Sequence, residues 1–250
     1  MEEQAPSTPT ISLGNLIVNV FASPSEAFEG LRTSPTRASV WLIPLIILII
    51  MTSLFSVVMF TNETISAQFR DSQRQGLQER VDSGRMTQEQ ADEAAAQMDR
   101  MGGMMIVIGI IAGLVTISIM FFAAALIFWL VGKVVLKAPA GYGKYLELWG
   151  TTSWIGILGA LITLLMMIGL GSMYASPSAA LAVLSEFKPT DTLHRVLASL
   201  NVFSIWQVVV LGIGLSKYAQ KPSGSGITIA VVLWVIWVLA SVFLLGGFGM

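Results

Sequence analysis

Residues 104–132 have the sequence MMIVIGIIAGLVTISIMFFAAALIFWLVG, which contains no Asp, Glu, Lys or Arg. A membrane-spanning helix needs about 20 mostly apolar residues to cross about 30 Å of hydrocarbon, so this stretch predicts a transmembrane helix. Four other stretches are similarly long and apolar, and almost every charge of the chain lies between them. The five predicted spans are Val40–Phe60, Met104–Val135, Leu148–Tyr174, His194–Ser216 and Ile227–Met250.

The composition supports the same class of protein. Of the 250 residues, 54% are hydrophobic and only 12% are charged, whereas about a quarter of the residues of a soluble domain are charged. We therefore predict an all-α fold: a polytopic membrane helix bundle with five transmembrane helices, an N-terminal amphipathic helix and an extramembrane helical hairpin between the first two spans. The lipid bilayer is its expected surrounding, with the membrane domain over residues 35–250.

The N-terminal region has two predicted parts. Residues 1–10 are polar and predict a disordered tail, and residues 11–34 predict amphipathic interfacial helices. Ser23–Glu26 predicts a helix start, with Ser23 as the cap and Pro24 in the first helical turn. One apolar face is formed by Leu13, Leu16, Ile17, Val20 and Phe21. This face either lies on the membrane surface or packs against the bundle.

The largest polar insert, residues 61–103, contains five Arg and eight acidic residues. Its pattern predicts two helices, Thr64–Val81 and Ala91–Met101, with a capping box at Thr87–Gln90 before the second. The apolar face of this helical hairpin is thin, so we expect a partner or the membrane to order it.

The residues expected for catalysis are missing from the spans. His194 is the only histidine and there is no cysteine, so the sequence predicts no metal site and no thiol chemistry. Catalysis inside a membrane requires ionisable groups that face a cavity, and the spans are almost free of them. We therefore expect a non-enzymatic protein without catalytic residues or cofactors. A net charge of −1 and the lack of a basic stripe also argue against binding of nucleic acid.

Small residues in two spans suggest close helix packing. Gly109 and Gly113 form a G-x-x-x-G pattern in the second span, and Gly156 and Ala160 lie one turn apart in the third. They predict either packing within this bundle or the face of a homo-oligomer.

The fourth predicted span has the most polar residues. Asn201, Ser204 and Gln207 recur every three residues, which predicts a polar stripe along a helix. The stripe serves either interhelical hydrogen bonds or a polar binding groove. Four further residues are expected to anchor span ends at the membrane interface. They are Trp41, Lys133, Lys137 and Arg195.

The short loops at 132–147 and 217–226 contain five Lys against one Glu. Because Lys and Arg in short loops favour the cytoplasmic side, we predict a cytoplasmic N-terminus and an external C-terminus.

Several short motifs resemble one known family over about residues 15–245. They are Phe21-x-Ser-Pro24-x-Glu-Ala-Phe28, Pro35, Trp41-x-x-Pro44, Gly141-Tyr-Gly-Lys-Tyr145 and the stretch from Ser199 to Ser216. Their order resembles that of Yip1-domain membrane proteins, in particular the bacterial branch. The resemblance implies five spans and a cytoplasmic N-terminus, and it supplies no catalytic residues. The 61–103 hairpin has no counterpart in the common core of that family.

Three functions remain open from the sequence. The first is a non-enzymatic scaffold or accessory subunit that binds other membrane proteins, for example in an exporter or a trafficking-like complex. The second is a small-molecule or ion transporter or channel, and the third is lipid binding or membrane shaping by the N-terminal helix. The expected location is the bacterial cytoplasmic (inner) membrane, or the Golgi or ER membrane in a eukaryotic source.

Overall fold

The computed structural model describes residues 11–244, which are nearly all helical. The predicted disordered tail, residues 1–10, and the end of the fifth predicted span lie outside the described residues. The helices are α1 Leu13–Ala22, α2 Pro24–Thr33, α3 Ala38–Thr61, α4 Glu63–Asp82, α5 Gln88–Met101, α6 Met104–Val134, α7 Tyr142–Leu170, α8 Thr192–Ser199, α9 Val202–Ala219 and α10 Ser223–Leu239. A 3-10 segment, Ala179–Glu186, precedes α8, and a π-helical turn, Ala240–Leu244, follows α10.

Five helices are long and apolar enough to cross a membrane: α3, α6, α7, α9 and α10 with its extension to Phe243. The predicted five-span architecture is therefore confirmed. The 31 residues of α6, at 1.5 Å per residue, reach about 46 Å, so this helix must tilt or protrude from the hydrocarbon. Of the five spans, α6 is also the one that the rest of the protein buries least. In its most apolar 18-residue stretch 6% is buried, against 39% in that of α9.

The structure divides the predicted fourth span, 194–216, into two helices. The side chain of Asp191 accepts a hydrogen bond from the His194 N–H and caps α8. The chain leaves the helix at Leu200, and Asn201 forms an isolated antiparallel bridge with Ser178. Because this bridge uses backbone groups that a continuous helix would pair internally, the span itself begins only at α9.

The residues form two compact units. The first unit contains the chain up to Leu48, Ile117–Gly159 and Val202–Val238. The second unit contains Ile49–Thr116, Ala160–Asn201 and the chain from Leu239.

The N-terminal helices contribute to the core of the first unit. Leu16 and Val20 of α1 and Phe28 of α2 are fully buried, and α2 packs against α9. Leu13 and Phe21 also pack against this core, so the apolar face predicted for residues 11–21 contacts protein at four of its five positions. Pro24 begins α2 and Ser23 is its N-cap residue, as predicted, but the Ser23 side chain makes no capping hydrogen bond.

The hairpin α4–α5 belongs to the second unit. Asn62 caps α4 by accepting a hydrogen bond from the Ile65 N–H. The predicted capping box before α5 is present, since Thr87 and Gln90 exchange side chain-to-backbone hydrogen bonds. Ile65 and Ala91 are buried, whereas most of the charged side chains of the hairpin are exposed. The hairpin therefore presents a polar surface outside the spans.

Candidate functional site

Glu147, in the second turn of α7, is a fully buried carboxylate in the first unit. Its Oε1 atom accepts the backbone N–H of Arg37 at 2.6 Å, and its Oε2 atom accepts the ammonium group of Lys144 at 2.7 Å. A buried charge is tolerated only when it is paired and hydrogen-bonded, and both conditions are met here.

Lys144 extends this contact to the end of α2. Its ammonium group also donates to the carbonyl oxygens of Leu31 at 2.6 Å and Ser34 at 2.7 Å. All three donors of the ammonium group are thereby used. The last carbonyl groups of a helix carry a partial negative charge that favours a nearby cation. The ammonium group of Lys144 is therefore favourably placed at the end of α2.

Together these groups form the Glu147 clamp, which we define as Glu147, Lys144, Arg37 and the carbonyl groups of Leu31 and Ser34. It joins the end of α2, the residue before α3 and the start of α7. The sequence analysis does not predict this clamp, because Glu147 enters it only as the one acidic residue of the 132–147 loop. The Lys144-x-x-Glu147 spacing at a helix start was the available signal.

Two buried tyrosines lie beside the clamp in the core of the first unit. Tyr145 and Tyr218 contact each other edge to face, with ring centroids 5.7 Å apart. Neither hydroxyl group has a hydrogen-bond partner among the described residues. Gly132 makes room for Tyr145, because a Cβ atom at that position would clash with the phenol oxygen. Packing therefore holds these two side chains in place.

The predicted small-residue positions lie against helices of the same chain. In the second unit, a Cβ atom on Gly109 would lie 3.2 Å from Oγ of Ser56, and one on Gly113 would lie 2.6 Å from Cγ2 of Thr52. The pattern thus lets α6 approach α3 closely.

The three residues of the predicted polar stripe lie on two different elements. Asn201 lies in the bridge before α9, and Ser204 is half-buried on α9. In the first unit, Gln207 lies against Gly156, where a Cβ atom would be 2.9 Å from the Gln207 Oε1 atom. Ala160 is half-buried in the second unit.

The four predicted anchors lie in different surroundings. Trp41 packs edge to face on Phe122, with ring centroids 5.8 Å apart. Lys133 is exposed, and its ammonium group lies 5.1 Å from the centroid of the Trp129 ring. Lys137 is also exposed and has a positive φ of 57°, whereas Arg195 is half-buried.

Gln68 holds the hairpin within the second unit. Its amide nitrogen donates to the carbonyl oxygen of Gly171 at 2.7 Å, and its amide oxygen accepts the N–H of Met173 at 3.0 Å. This pair of bonds fixes α4 to the turn that follows α7. A single glutamine in a polar helix carries no sequence signal, so this contact could not be predicted.

Two clefts of the second unit lie on different faces of α4. The inner cleft, of about 300 Å³, lies between α4, α5 and the start of α6, and it contains Phe69, Arg70 and Arg74. The loop cleft, of about 680 Å³, lies between α4 and the chain from Tyr174 to Arg195.

Five apolar helices, a polar hairpin between the first two of them and a charge clamp at the start of the third define a multi-pass helical membrane protein. The chain belongs to the Yip1 domain family, whose sequence profile matches residues 18–245. It is also similar to membrane protein YknW of Bacillus subtilis (strain 168), at 29% identity over 229 residues, which cover 91% of this chain and 88% of that protein. No solved structure matches the chain. The family resemblance seen in the sequence is thereby confirmed.

Proposed function

We propose that this protein is a non-enzymatic scaffold or accessory subunit of a membrane assembly. The observation that carries the proposal is the polar hairpin α4–α5, which the two hydrogen bonds of Gln68 fix to the turn after α7. A fixed helical pair outside the membrane needs no ordering when it binds, so less conformational entropy is lost on association with a partner.

The surface chemistry of the hairpin suits a protein partner. Both of its helices carry exposed acids and arginines, including Glu89, Glu93 and Arg100 on α5. Mixed charges at this density favour specific, electrostatically guided contacts over insertion into lipid.

The exposed face of α6 offers a second contact surface within the membrane. Ile111 is 58% exposed and Ile119 is 62% exposed. Lipid or the spans of another protein would cover such side chains in the membrane. A subunit of an assembly would use part of this face for helix contacts, including contacts with a second copy of the chain.

The hydrogen bonds made by the buried charges of Glu147 and Lys144 support a non-enzymatic role. Both carboxylate oxygens of Glu147 and all three donors of Lys144 are occupied by protein groups. Among residues 11–244, no group of three or more His, Cys, Asp or Glu side chains could hold a metal ion. Glu147 and Lys144 thus serve the fold.

The alternative functions have less support. A transporter would use the polar stripe to line a passage, but Gln207 packs against Gly156, and none of the three stripe residues lines either of the two clefts described above. Membrane shaping by α1 would need a free apolar face, but Leu16 and Val20 are buried in the protein.

The expected location is the bacterial cytoplasmic membrane, with the N-terminus inside and the C-terminus outside. The basic short loops at 132–147 and 217–226 and the bacterial membrane relative support this placement. Reporter fusions at the two ends test it, and reporters in the same compartment would contradict it.

Crosslinking in native membranes tests the scaffold proposal. A photo-reactive residue at Glu93 on α5 is expected to capture another membrane protein at native expression. The matched control is a photo-reactive residue at Pro139, which is also exposed but lies in the loop that follows the other end of α6. Equal protein capture at both positions, or only uncrosslinked monomer from Glu93, would contradict the proposal.

A further inference from the structure

The loop cleft is open to solvent and is lined by segments that flank two spans in the sequence. Tyr174 follows the end of α7 at Leu170 by four residues, and Arg195 precedes the start of α9 at Val202 by seven. Its volume of about 680 Å³ falls within the range of about 300–1,000 Å³ found for small-molecule sites. The cleft is therefore large enough for a small ligand.

Basic residues outnumber acids in this cleft. It is lined by Arg80, Arg85, Lys188 and Arg195 against Asp71 and Glu79. Within the described part of the chain, no carboxylate lies at ion-pair distance from these four cationic side chains. Their charges thus remain available to an anion.

Arg195 is the one of these four cations that is not exposed. Its side chain is half-buried, and its Nε–H group is shielded from solvent without a hydrogen-bond acceptor among the described residues. Buried donors without an acceptor are rare in folded proteins. The Arg195 side chain lines the cleft, and a guanidinium group binds phosphate oxygens with two parallel hydrogen bonds.

The wall of the cleft is already ordered. The rings of Tyr174 and Phe187 lie 4.8 Å apart, and those of Phe187 and His194 lie 5.6 Å apart. His194 Nδ1 accepts the N–H of Lys188 at 2.9 Å, and Gln68 holds the other end of this segment on α4. A preorganised site loses little entropy on binding, which favours a small ligand here.

We infer that the loop cleft binds a phosphate-bearing anion, with Arg195 and Lys188 as the main contacts and the Tyr174–Phe187 wall beside it. The phosphate group comes either from the headgroup of an anionic lipid or from a soluble phosphorylated compound. A phosphate monoester, with a charge of about −2, uses more of the four cations than a single carboxylate would, whereas the phosphodiester of a lipid headgroup carries one charge. This binding site is independent of the scaffold role.

Titration of the full-length protein in uncharged detergent tests the inference. The probes are short-chain phosphatidylglycerol, short-chain phosphatidylcholine and inorganic phosphate, and the measurement is isothermal titration calorimetry. We expect saturable binding of phosphatidylglycerol or of inorganic phosphate, and at least tenfold weaker binding by the double variant Lys188→Gln, Arg195→Gln, about the effect of one lost charge-assisted hydrogen bond.

The matched control is Arg100→Gln, which removes an exposed cation of α5 outside the cleft and should leave binding within twofold. Because Arg195 is half-buried, Lys188→Gln alone provides a second variant that spares the fold, and it should still weaken binding severalfold. Binding of phosphatidylglycerol without competition from inorganic phosphate identifies a lipid headgroup. Competition between the two identifies a site for the phosphate group itself.

Three results would overturn the inference. The first is the lack of saturable binding to either anionic probe. The second is equal affinity for phosphatidylcholine and phosphatidylglycerol without any binding of inorganic phosphate. The third is an equal loss of binding in Arg100→Gln and the cleft variants.

Discussion

Replacing Glu147 with alanine is expected to destabilise the first unit strongly. The carboxylate is fully buried, and its removal leaves the Arg37 N–H without an acceptor and the ammonium group of Lys144, whose side chain is only 14% exposed, without a counter-charge. Breaking a buried ion pair by removing one partner costs about 3–5 kcal/mol. Because Lys144 keeps the carbonyl groups of Leu31 and Ser34, we expect the lower end, about 3 kcal/mol.

A double variant separates the charge from the packing. Replacing Glu147 with leucine and Lys144 with methionine removes both charges while keeping similar volumes. Replacement of a buried ion pair by well-packed apolar residues is often neutral or stabilising. This variant removes the unpaired charge but leaves the Arg37 N–H and the carbonyl groups of Leu31 and Ser34 without these partners, so it should recover only part of the stability that Glu147→Ala loses.

The free energy of unfolding can be measured in mixed micelles as the fraction of denaturing detergent increases, with helicity as the signal. Glu93→Ala is the control, since Glu93 is exposed on α5 and its loss should change stability by less than about 0.5 kcal/mol. The reasoning would be refuted if Glu147→Ala and Glu93→Ala were equally stable. A double variant as unstable as Glu147→Ala would refute the role given to the unpaired charge.

Three further predictions concern single positions. Gly212→Ala should destabilise the protein by about 1–3 kcal/mol in the same unfolding assay, because a Cβ atom would clash with the backbone of Ile227; Gly14→Ala, which meets no neighbouring atom, should not destabilise it. Gln68→Leu should speed amide hydrogen exchange in the hairpin without changing exchange in the first unit, and equal rates in wild type and variant would contradict the anchoring role. The N–H of His194 lowers the pKa of Asp191, so the capping carboxylate should stabilise α8 above about pH 4 and lose this effect as the pH falls through its lowered pKa. Hydrogen exchange of α8 measures this, and Asp191→Asn should remove the pH dependence while keeping the cap.

The predicted and observed features differ most where a contact joins distant parts of the chain. Local patterns predicted the capping box at Thr87–Gln90, because both partners lie within one helical turn. No local pattern showed that Arg37 would contact Glu147 or that Gln68 would contact Gly171. In the predicted fourth span, the apolar pattern continues across Asn201, so the sequence predicted one helix there. In the structure, the bridge between Asn201 and Ser178 sets the start of α9.

The sequence by itself determined the five membrane spans, the hairpin and the family. Spans follow from length and apolarity alone, because in hydrocarbon a backbone must satisfy its own hydrogen bonds and a helix does so without help from other segments. Only the tertiary structure decided which polar groups serve the fold and which remain available for binding. Glu147 and Arg195 are both ionisable residues near span ends, and their difference arises from the neighbours that folding brings to them. Glu147 is paired with Lys144, whereas Arg195 lines a cleft and has no carboxylate at ion-pair distance among the described residues.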